Sequence, residues 1–590
     1  MKNKTIKRFY NMAKPHIKAF IIIIITSILL DLLTAFKPYL IKTIIDDFMQ
    51  NKTEIREFSN WGKSFFISVR MIGATYIVVV LLENLLYFWV TKSTSVVSEK
   101  ILNETRQKIF TFTQKTNIKF HDQTPSGKLF ARVTSDTEDL AIFFEDFVVT
   151  FFSDFFYIIV ISIIMFKLSW KLSLISYGIV MISTMIAYII TKKANKAYDI
   201  AKNIRTKLNT FFAETIYGAK TIKIFNIQNI KNKESKNLTE EYTQKLIKAI
   251  KIESPLSSLL FTLEYIAISV IIVFSVKKLW NIEIEIGQVY IFITYIKELF
   301  EPIRRTCDNI ESVQEAVVSL NKIYDIIDQD KDIEDFSSGK ELINPKGKIE
   351  FKHVWFKYNE TDENWILKDI NFTIEPTETI ALVGKTGSGK TTITNLVNRF
   401  YDIQKGEILF DGVNIKDINL KFLRRSIGNV LQDPFIFSGT IKENVELYNE
   451  MTEEQVNNAI DLASSRDFIN SLPNGIYEKA VERGENFSVG QKQLIAFARI
   501  FALNPSIFIL DEATANIDTT TEKSIQKSID KLSKEKTAIF IAHRLSTIVN
   551  VDKILVLKDG EIIEEGNHRE LMRKNGYYAN LYKSYYESLV

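Results

Sequence analysis

The chain has 590 residues, 46% of them hydrophobic and 12% aromatic, which is enough for several domains and more apolar than a soluble protein needs, so a membrane-embedded part is expected. Its formal charge of +4 is small for this length and offers no global field for nucleic acid as a partner. The single cysteine, Cys307, excludes an internal disulfide framework and any cysteine-built metal site.

In chain order, the basic start MKNKTIKRFYNMAKPHIKAF reads as an interfacial helix that leads into the bilayer from the cytoplasmic side. A secretory signal is rejected, because the apolar stretch that follows is too long, lacks a small-residue cleavage site and is succeeded by further membrane-length segments. Six segments, centred on residues 19–36, 71–90, 147–166, 172–190, 256–276 and 286–303, are long and apolar enough to cross a hydrocarbon core of about 30 Å at about 1.5 Å per residue. The connections FKLSW and KKLWNIEIE are short, whereas residues 91–146 and 191–255 are long and lysine-rich. Lys92, Lys100, Arg106, Lys108 and Lys115 follow the second span, and Lys192, Lys193, Lys196, Lys202 and Arg205 the fourth, which places both long connections in the cytoplasm. Both keep a helical pattern with little Gly/Pro punctuation, so the spans are predicted to extend by about 25 Å or more beyond the bilayer. Turns are predicted at DQTPSGK, 122–128, and near NTFFAETIYGAK, 209–220.

Charges inside the spans cost about 2.5–3.5 kcal/mol each on an insertion scale, which singles out Asp31, Glu83, Asp154, Glu264, Lys297 and Glu298. Lys297 and Glu301 are four apart and can pair along a helix. Two readings of the acidic excess stay open: a cavity that welcomes a cationic amphiphile, or structural ion pairing between helices.

Near residue 345 the pattern changes to short β-rich runs (KIEFKHVWFKY, TIALVG, GEILFDG, IFILDE, TAIFIAH, KILVLKDG) alternating with amphipathic helices, which is α/β. The predicted organisation is a helical membrane domain over 1–330, a polar linker over 331–345 and an α/β domain over 346–590.

Within TIALVGKTGSGKTTITNLV, the run Gly384, Lys385, Thr386, Gly387, Ser388, Gly389, Lys390, Thr391, Thr392 lies between an apolar strand and a helix and fits the phosphate-binding loop pattern. Glycines let backbone N–H groups wrap phosphates, the helix amino terminus adds its dipole, Lys390 reaches the β and γ phosphates, and Thr391 is placed to ligate Mg²⁺. Downstream, a buried-strand run ends in Asp511 and Glu512. Asp511 can hold Mg²⁺ through water and Glu512 can orient or deprotonate an attacking water; taken alone, the pair could equally be a solvated acidic turn.

With these motifs in hand, the second half resembles the nucleotide-binding domain of an ATP-binding cassette (ABC) protein, and the whole chain resembles an exporter-type half-transporter. The resemblance implies a fold of a six-helix all-α transmembrane domain followed by an α/β P-loop NTPase with a helical subdomain. It places Tyr358 against adenine (the alternative being a core aromatic on an alternating strand), Gln432 in VLQDPF at Mg²⁺ or the lytic water, and the D-loop at Ala515–Asp518. It also places His543 at the γ-phosphate. His16, His121, His353 and His568 read as surface or packing residues. The signature falls on FSVGQ, where Ser488, Gly490 and Gln491 would act in trans on ATP bound to a second subunit. Val489 departs from the usual Leu-Ser-Gly-Gly-Gln, and it either is tolerated or weakens the signature.

What the resemblance implies is ATP- and Mg²⁺-dependent transport of an amphipathic drug, lipid or peptide across the cell membrane. The cassettes would be cytoplasmic and the subunits paired as a homodimer or heterodimer in the lipid bilayer, with no nucleic acid involved. An exporter-fold importer or ATP-gated channel would carry the same motifs. The two cytoplasmic turns are expected to meet the cassettes near Gln432 and the helical subdomain.

Overall fold

A computed structural model of the chain describes residues 2–51, 58–276, 285–328, 334–336, 338–447, 449–511, 519–541 and 548–587. It divides into two units: 1–114 with 125–330, and 115–124 with 331–590. The division near residue 330 falls where the composition changes. The expectation that all of 1–330 forms one unit is corrected for residues 115–124, which pack with the carboxyl-terminal part.

The first unit is helical. Its lead-in helix Lys2–Ala13 stops at a 3₁₀ turn, Lys14–His16, where Pro15 interrupts the pattern. Helices Ile17–Asn51, Phe58–Lys115, Val149–Leu168, Trp170–Tyr217, Pro255–Val276 and Ile286–Ile327 contain the six predicted segments, save that 147–148 belong to the π-helical turn Phe143–Val148. Among the described residues, five helical stretches are long and apolar enough to cross a membrane: Lys4–Asp46, Arg70–Lys115, Ser126–Leu168, Trp170–Tyr217 and Gln228–Ser275. The sixth predicted span is not among them, because Lys297, Glu298 and Glu301 interrupt its apolar run. That helix is accommodated by its neighbours: Phe292, Tyr295, Ile296 and Phe300 are fully buried, and the Tyr295 hydroxyl donates to the Ala35 carbonyl at 2.6 Å.

The two long connections are helical, as their lack of breakers predicts. Trp170–Tyr217 has 48 residues and so runs about 72 Å, more than twice a hydrocarbon core. Its buried residues Ala201, Ile204, Leu208 and Phe211 recur at helical spacing, and Gln228–Glu253 packs along this helix. The predicted second turn moves: 209–217 are still helical, because nothing in NTFFAETIY breaks a helix, and the chain turns from Gly218 through the short helix Ala219–Ile224 to Ile227. The first turn narrows to Thr124 and Pro125, between helices Ile118–Gln123 and Ser126–Val133.

Four of the singled-out acids have partners. Asp154 pairs with Arg305 at 3.1 Å, Glu264 with Arg304 at 2.8 Å and Glu83 with Lys37 at 2.8 Å, while Asp31 accepts from the Ser153 hydroxyl at 2.8 Å. Glu301 bonds Arg304 at 2.6 Å instead of Lys297, which is exposed. Structural ion pairing therefore accounts for Glu83, Asp154 and Glu264, and a hydroxyl meets Asp31. Arg304 and Arg305 sit just past the predicted end of the last span, which is why the sequence alone left the acids without partners. Truncating Arg304 to alanine strands Glu264 and should cost about 3–5 kcal/mol, whereas the joint change Glu264→Gln with Arg304→Met should recover most of it. Thermal unfolding of the reconstituted chain checks this, and equal losses for single and joint changes would count against it.

The second unit is built on strands β1 (Ile349–Phe356), β2 (Leu367–Ile374), β3 (Thr379–Val383), β4 (Lys405–Phe410), β5 (Val413–Asn414), β6 (Ile427–Val430), β7 (Gly439–Thr440), β8 (Lys479–Ala480), β9 (Ile507–Asp511), β10 (Thr537–Ile541), β11 (Lys553–Lys558) and β12 (Glu561–Gly566). The main sheet has the order β12-β11-β3-β10-β9-β6, parallel except for β12, and a second sheet has the order β2-β1-β4-β5. β3 and β10 are buried along their whole length, the mark of parallel strands covered on both faces. One apolar core joins the main sheet to the second sheet, and the other packs the helical segment 441–500 against the opposite face.

Candidate nucleotide site

The order β3-β10-β9 brings the carboxyl ends of β3 and β9 to one edge of the sheet with one strand between them, about 10 Å apart. The loop Gly384–Gly389 leaves β3 there, and Asp511 closes β9. Ligands of open α/β sheets bind along this edge.

Glycine is required at both ends of the loop. A Cβ on Gly384 would stand 2.3 Å from the Leu557 carbonyl, and Gly389, with φ +107°, opens the helix Lys390–Val397 in a conformation that side chains disfavour. The crest, Lys385 to Gly387, is exposed, and Ser388, Gly389 and Lys390 lie buried beneath it. The Lys390 ammonium donates to the Gly384 carbonyl at 2.7 Å and the Lys385 carbonyl at 3.0 Å. The buried Ser388 hydroxyl makes no hydrogen bond within the protein. A buried cation, an unpartnered hydroxyl and a helix amino terminus in one loop fit a phosphate chain. Thr391 is exposed on the first turn of the helix. Thr392 is buried and shares a 3.1 Å hydrogen bond with the hydroxyl of Tyr358, whose half-buried ring stands edge-on to Phe356 and Tyr401. Tyr358 is therefore tied to the loop as well as to the aromatic core, so the two readings of it are compatible.

The signature segment opens the helix Val489–Leu503 with a capping box: the Ser488 hydroxyl accepts from Gln491 N–H at 3.2 Å, and the Gln491 side chain accepts from Ser488 N–H at 2.9 Å. Gly490 is buried, whereas Val489 is 43% exposed, so the valine does not disturb packing within its own chain. Gln432 is exposed, and its carbonyl accepts from Gln493 at 3.5 Å. The structure thus gathers Tyr358, the 384–392 loop and Asp511 in one half of the site and joins Gln432 to the signature helix. Glu512, Asp518 and His543 lie outside the described residues. The four other histidines are hydrogen-bonded, to Glu104 (His16), Thr116 (His121), Asp369 (His353) and Tyr578 (His568).

Two features escaped the sequence reading. Arg499 reaches from the signature helix to the segment after Gln432, donating to the carbonyls of Phe435 at 2.7 Å and Asn444 at 2.6 Å and to the Asn444 side chain at 2.7 Å; burial pushes its guanidinium down to about 10. A lone arginine in the apolar run LIAFARIFAL was the available signal. The second is the seat of Ile118–Gln123, where Asp122 accepts from the Tyr401 hydroxyl and Gln123 donates to Asn359 at 3.4 Å. Burial first, then the Asp122 carboxylate, pushes the Tyr401 phenol up. The helix that leads into the first turn is thus seated on Tyr401 and Asn359 of its own unit. Cysteines at 123 and 359, with Cys307 replaced, should join through a short thiol crosslinker. A preference of Gln123→Cys for Phe437→Cys would overturn this placement.

Comparison with known proteins agrees with the two units. Residues 20–303 match the family model "ABC transporter transmembrane region", and residues 367–515 match "ABC transporter". "Probable multidrug resistance ABC transporter ATP-binding/permease protein YheH" of Bacillus subtilis is 38% identical over 490 residues, 82% of this chain and 72% of that protein. The "ATP-dependent lipid A-core flippase" of Syntrophus aciditrophicus is 30% identical over 98% of this chain and 94% of its own length. Among solved structures, a bacterial Atm1-family ABC exporter with ATP bound superimposes with a TM-score of 0.77 at 23% identity, covering 96% of this chain and 99% of that one. The chain belongs to the ABC transporters of exporter type, with a helical transmembrane domain and a nucleotide-binding ATPase domain in one polypeptide.

Proposed function

We propose that this ABC transporter exports or flips an amphipathic substrate, a drug, lipid or peptide, across the cell membrane as one half of a dimer, with its ATPase domain in the cytoplasm. The observation that carries the reading is the buried, preformed phosphate loop on a chain whose other unit has membrane-length helices. The relatives named for multidrug resistance and lipid A flipping support a drug or lipid as substrate.

In this reading Lys390, Ser388 and the loop amides bind the phosphates of ATP, and Tyr358 stacks on adenine. Thr391, Gln432 and Asp511 would hold Mg²⁺, which would supply charge neutralisation at the phosphates. Glu512 takes the proton of the attacking water and His543 contacts the γ-phosphate. Ser488, Gly490 and Gln491 serve ATP on the second subunit, and Asp518 lines the junction. ATP then joins two cassettes and hydrolysis parts them, which switches the membrane helices between two arrangements. The second cytoplasmic turn exposes Ile216, Tyr217, Ile224 and Phe225, and the Gln432 region exposes Leu431, Phe435 and Phe437; both surfaces suit docking between subunits.

The test is ATPase activity of the chain in lipid, alone and with a candidate partner, screened over lipids, drugs and peptides. Saturable stimulation by an amphiphile, with its vectorial movement in vesicles, is expected. Movement of ions down their gradient without turnover would favour a channel.

A further inference from the structure

We infer that the membrane unit carries a binding site for an anionic amphiphile, with its head group at Lys192 and Lys196. The inference rests on the export reading for its physiological meaning and names the substrate class of that path. The site is a cavity of about 690 Å³ between the helices Trp170–Tyr217 and Ile286–Ile327, within the usual range of about 300–1,000 Å³ for small-molecule sites.

Three observations set its chemistry. The cavity is polarised along its length: Ile158, Val180 and Leu299 line one end, and Lys192 and Lys196 line the other. From Val180 to Lys196 is sixteen residues of continuous helix, about 24 Å, a span that suits an extended tail joined to a head group. Among the described residues no carboxylate lies within ion-pair distance of either lysine, unlike the intramembrane acids, which have basic or hydroxyl partners. Lys192 lies 5.6 Å from the centre of the Tyr188 ring, and among the described residues the wall carries two lysines, Lys192 and Lys196, against one carboxylate, Asp199. Between the two ends Thr191 is 9% exposed, and its buried hydroxyl makes no hydrogen bond within the protein. A buried hydroxyl without a partner is costly, and a polar linkage between tail and head would satisfy it.

The same wall holds the single cysteine, Cys307, which makes the site readable without transport or turnover. The full chain in nanodiscs, without ATP, is labelled with a maleimide in the presence of dodecyl phosphate, dodecyltrimethylammonium or inorganic phosphate. Dodecyl phosphate at about ten times its Kd should slow labelling about tenfold, while the other two leave the rate unchanged. Lysophosphatidate placed in the bilayer, compared with dodecyl phosphate added from solution, tells a leaflet source from a cytosolic one. Protection by either supports the site. The joint change Lys192→Gln with Lys196→Gln should abolish protection, and Lys193→Gln, which lies off the wall, should keep it. The unliganded labelling rate reports whether the cavity has kept its shape; where the joint variant changes it, Lys196→Gln alone is read and should weaken protection. Equal protection by dodecyltrimethylammonium, or full protection in the lysine variants, would overturn the inference. If no anionic amphiphile protects Cys307 while other amphiphiles stimulate the ATPase, this inference falls and the export reading stands.

Discussion

Replacing Glu512 with glutamine should leave ATP binding nearly intact and lower turnover by at least about 10²-fold, the lower bound for loss of a general base. The separation follows from where the binding groups sit. In the reading proposed here the phosphate contacts come from the loop: Lys390 is held at the Gly384 and Lys385 carbonyls, Ser388 offers a buried hydroxyl, and Gly384 and Gly389 leave no room for a side chain against Leu557 and Leu367. None of these depends on a carboxylate one residue past the end of β9. Glutamine keeps the size of glutamate and loses the basic oxygen, so a trapped, ATP-bound state should accumulate. Lys390→Ala does the opposite: it removes the buried cation, so nucleotide affinity and turnover should fall together. Near-normal hydrolysis by the Glu512 variant would remove that residue from the role of base. Unchanged ATP affinity in the Lys390 variant would remove the loop from phosphate binding.

The contrast between the two variants also marks what a sequence can specify. The phosphate loop was legible because its chemistry is local: glycine spacing, a lysine and a following helix lie within nine consecutive residues. The long helices were legible for a similar reason, since apolar runs and missing breakers act over adjacent turns. What stayed hidden depends on contacts far apart in sequence. Arg304 and Arg305 neutralise Glu264 and Asp154 across helices, and only the packed bundle shows which acid meets which cation. The seat of Ile118–Gln123 beside Tyr401 and Asn359 brings together residues more than two hundred positions apart, and no periodicity in either segment announces it. Arg499 is intermediate: its oddity in an apolar helix is visible, but its carbonyl partners belong to an irregular segment whose path no pattern fixes.

The second large effect is expected at Val489. Within its own chain this side chain is harmless: it occupies the first turn of the signature helix, 43% exposed, and leaves the Ser488–Gln491 capping box and the buried Gly490 in place. Any effect must therefore fall on whatever approaches that helix terminus from outside. In the reading proposed here, this is the γ-phosphate of ATP held by a second subunit, and a β-branched side chain stands where close backbone approach is required. The chain keeps Glu512 and His543 in sequence, so it would own a competent half-site while offering a weakened signature to its partner's. Such a division of labour fits a heterodimer whose second subunit supplies an intact signature. The chain reconstituted alone should then hydrolyse ATP slowly, and either Val489→Gly or co-expression of the partner should raise the rate by about tenfold or more, which requires only about 1.4 kcal/mol of recovered transition-state contact. Because the valine is exposed, Val489→Gly should leave the folded amount of protein essentially unchanged, so a rise in rate would report the junction and not the fold. Robust ATPase activity and transport by the chain alone, unchanged by Val489→Gly, would instead mean that two equivalent sites tolerate the valine, and the protein would be a homodimer.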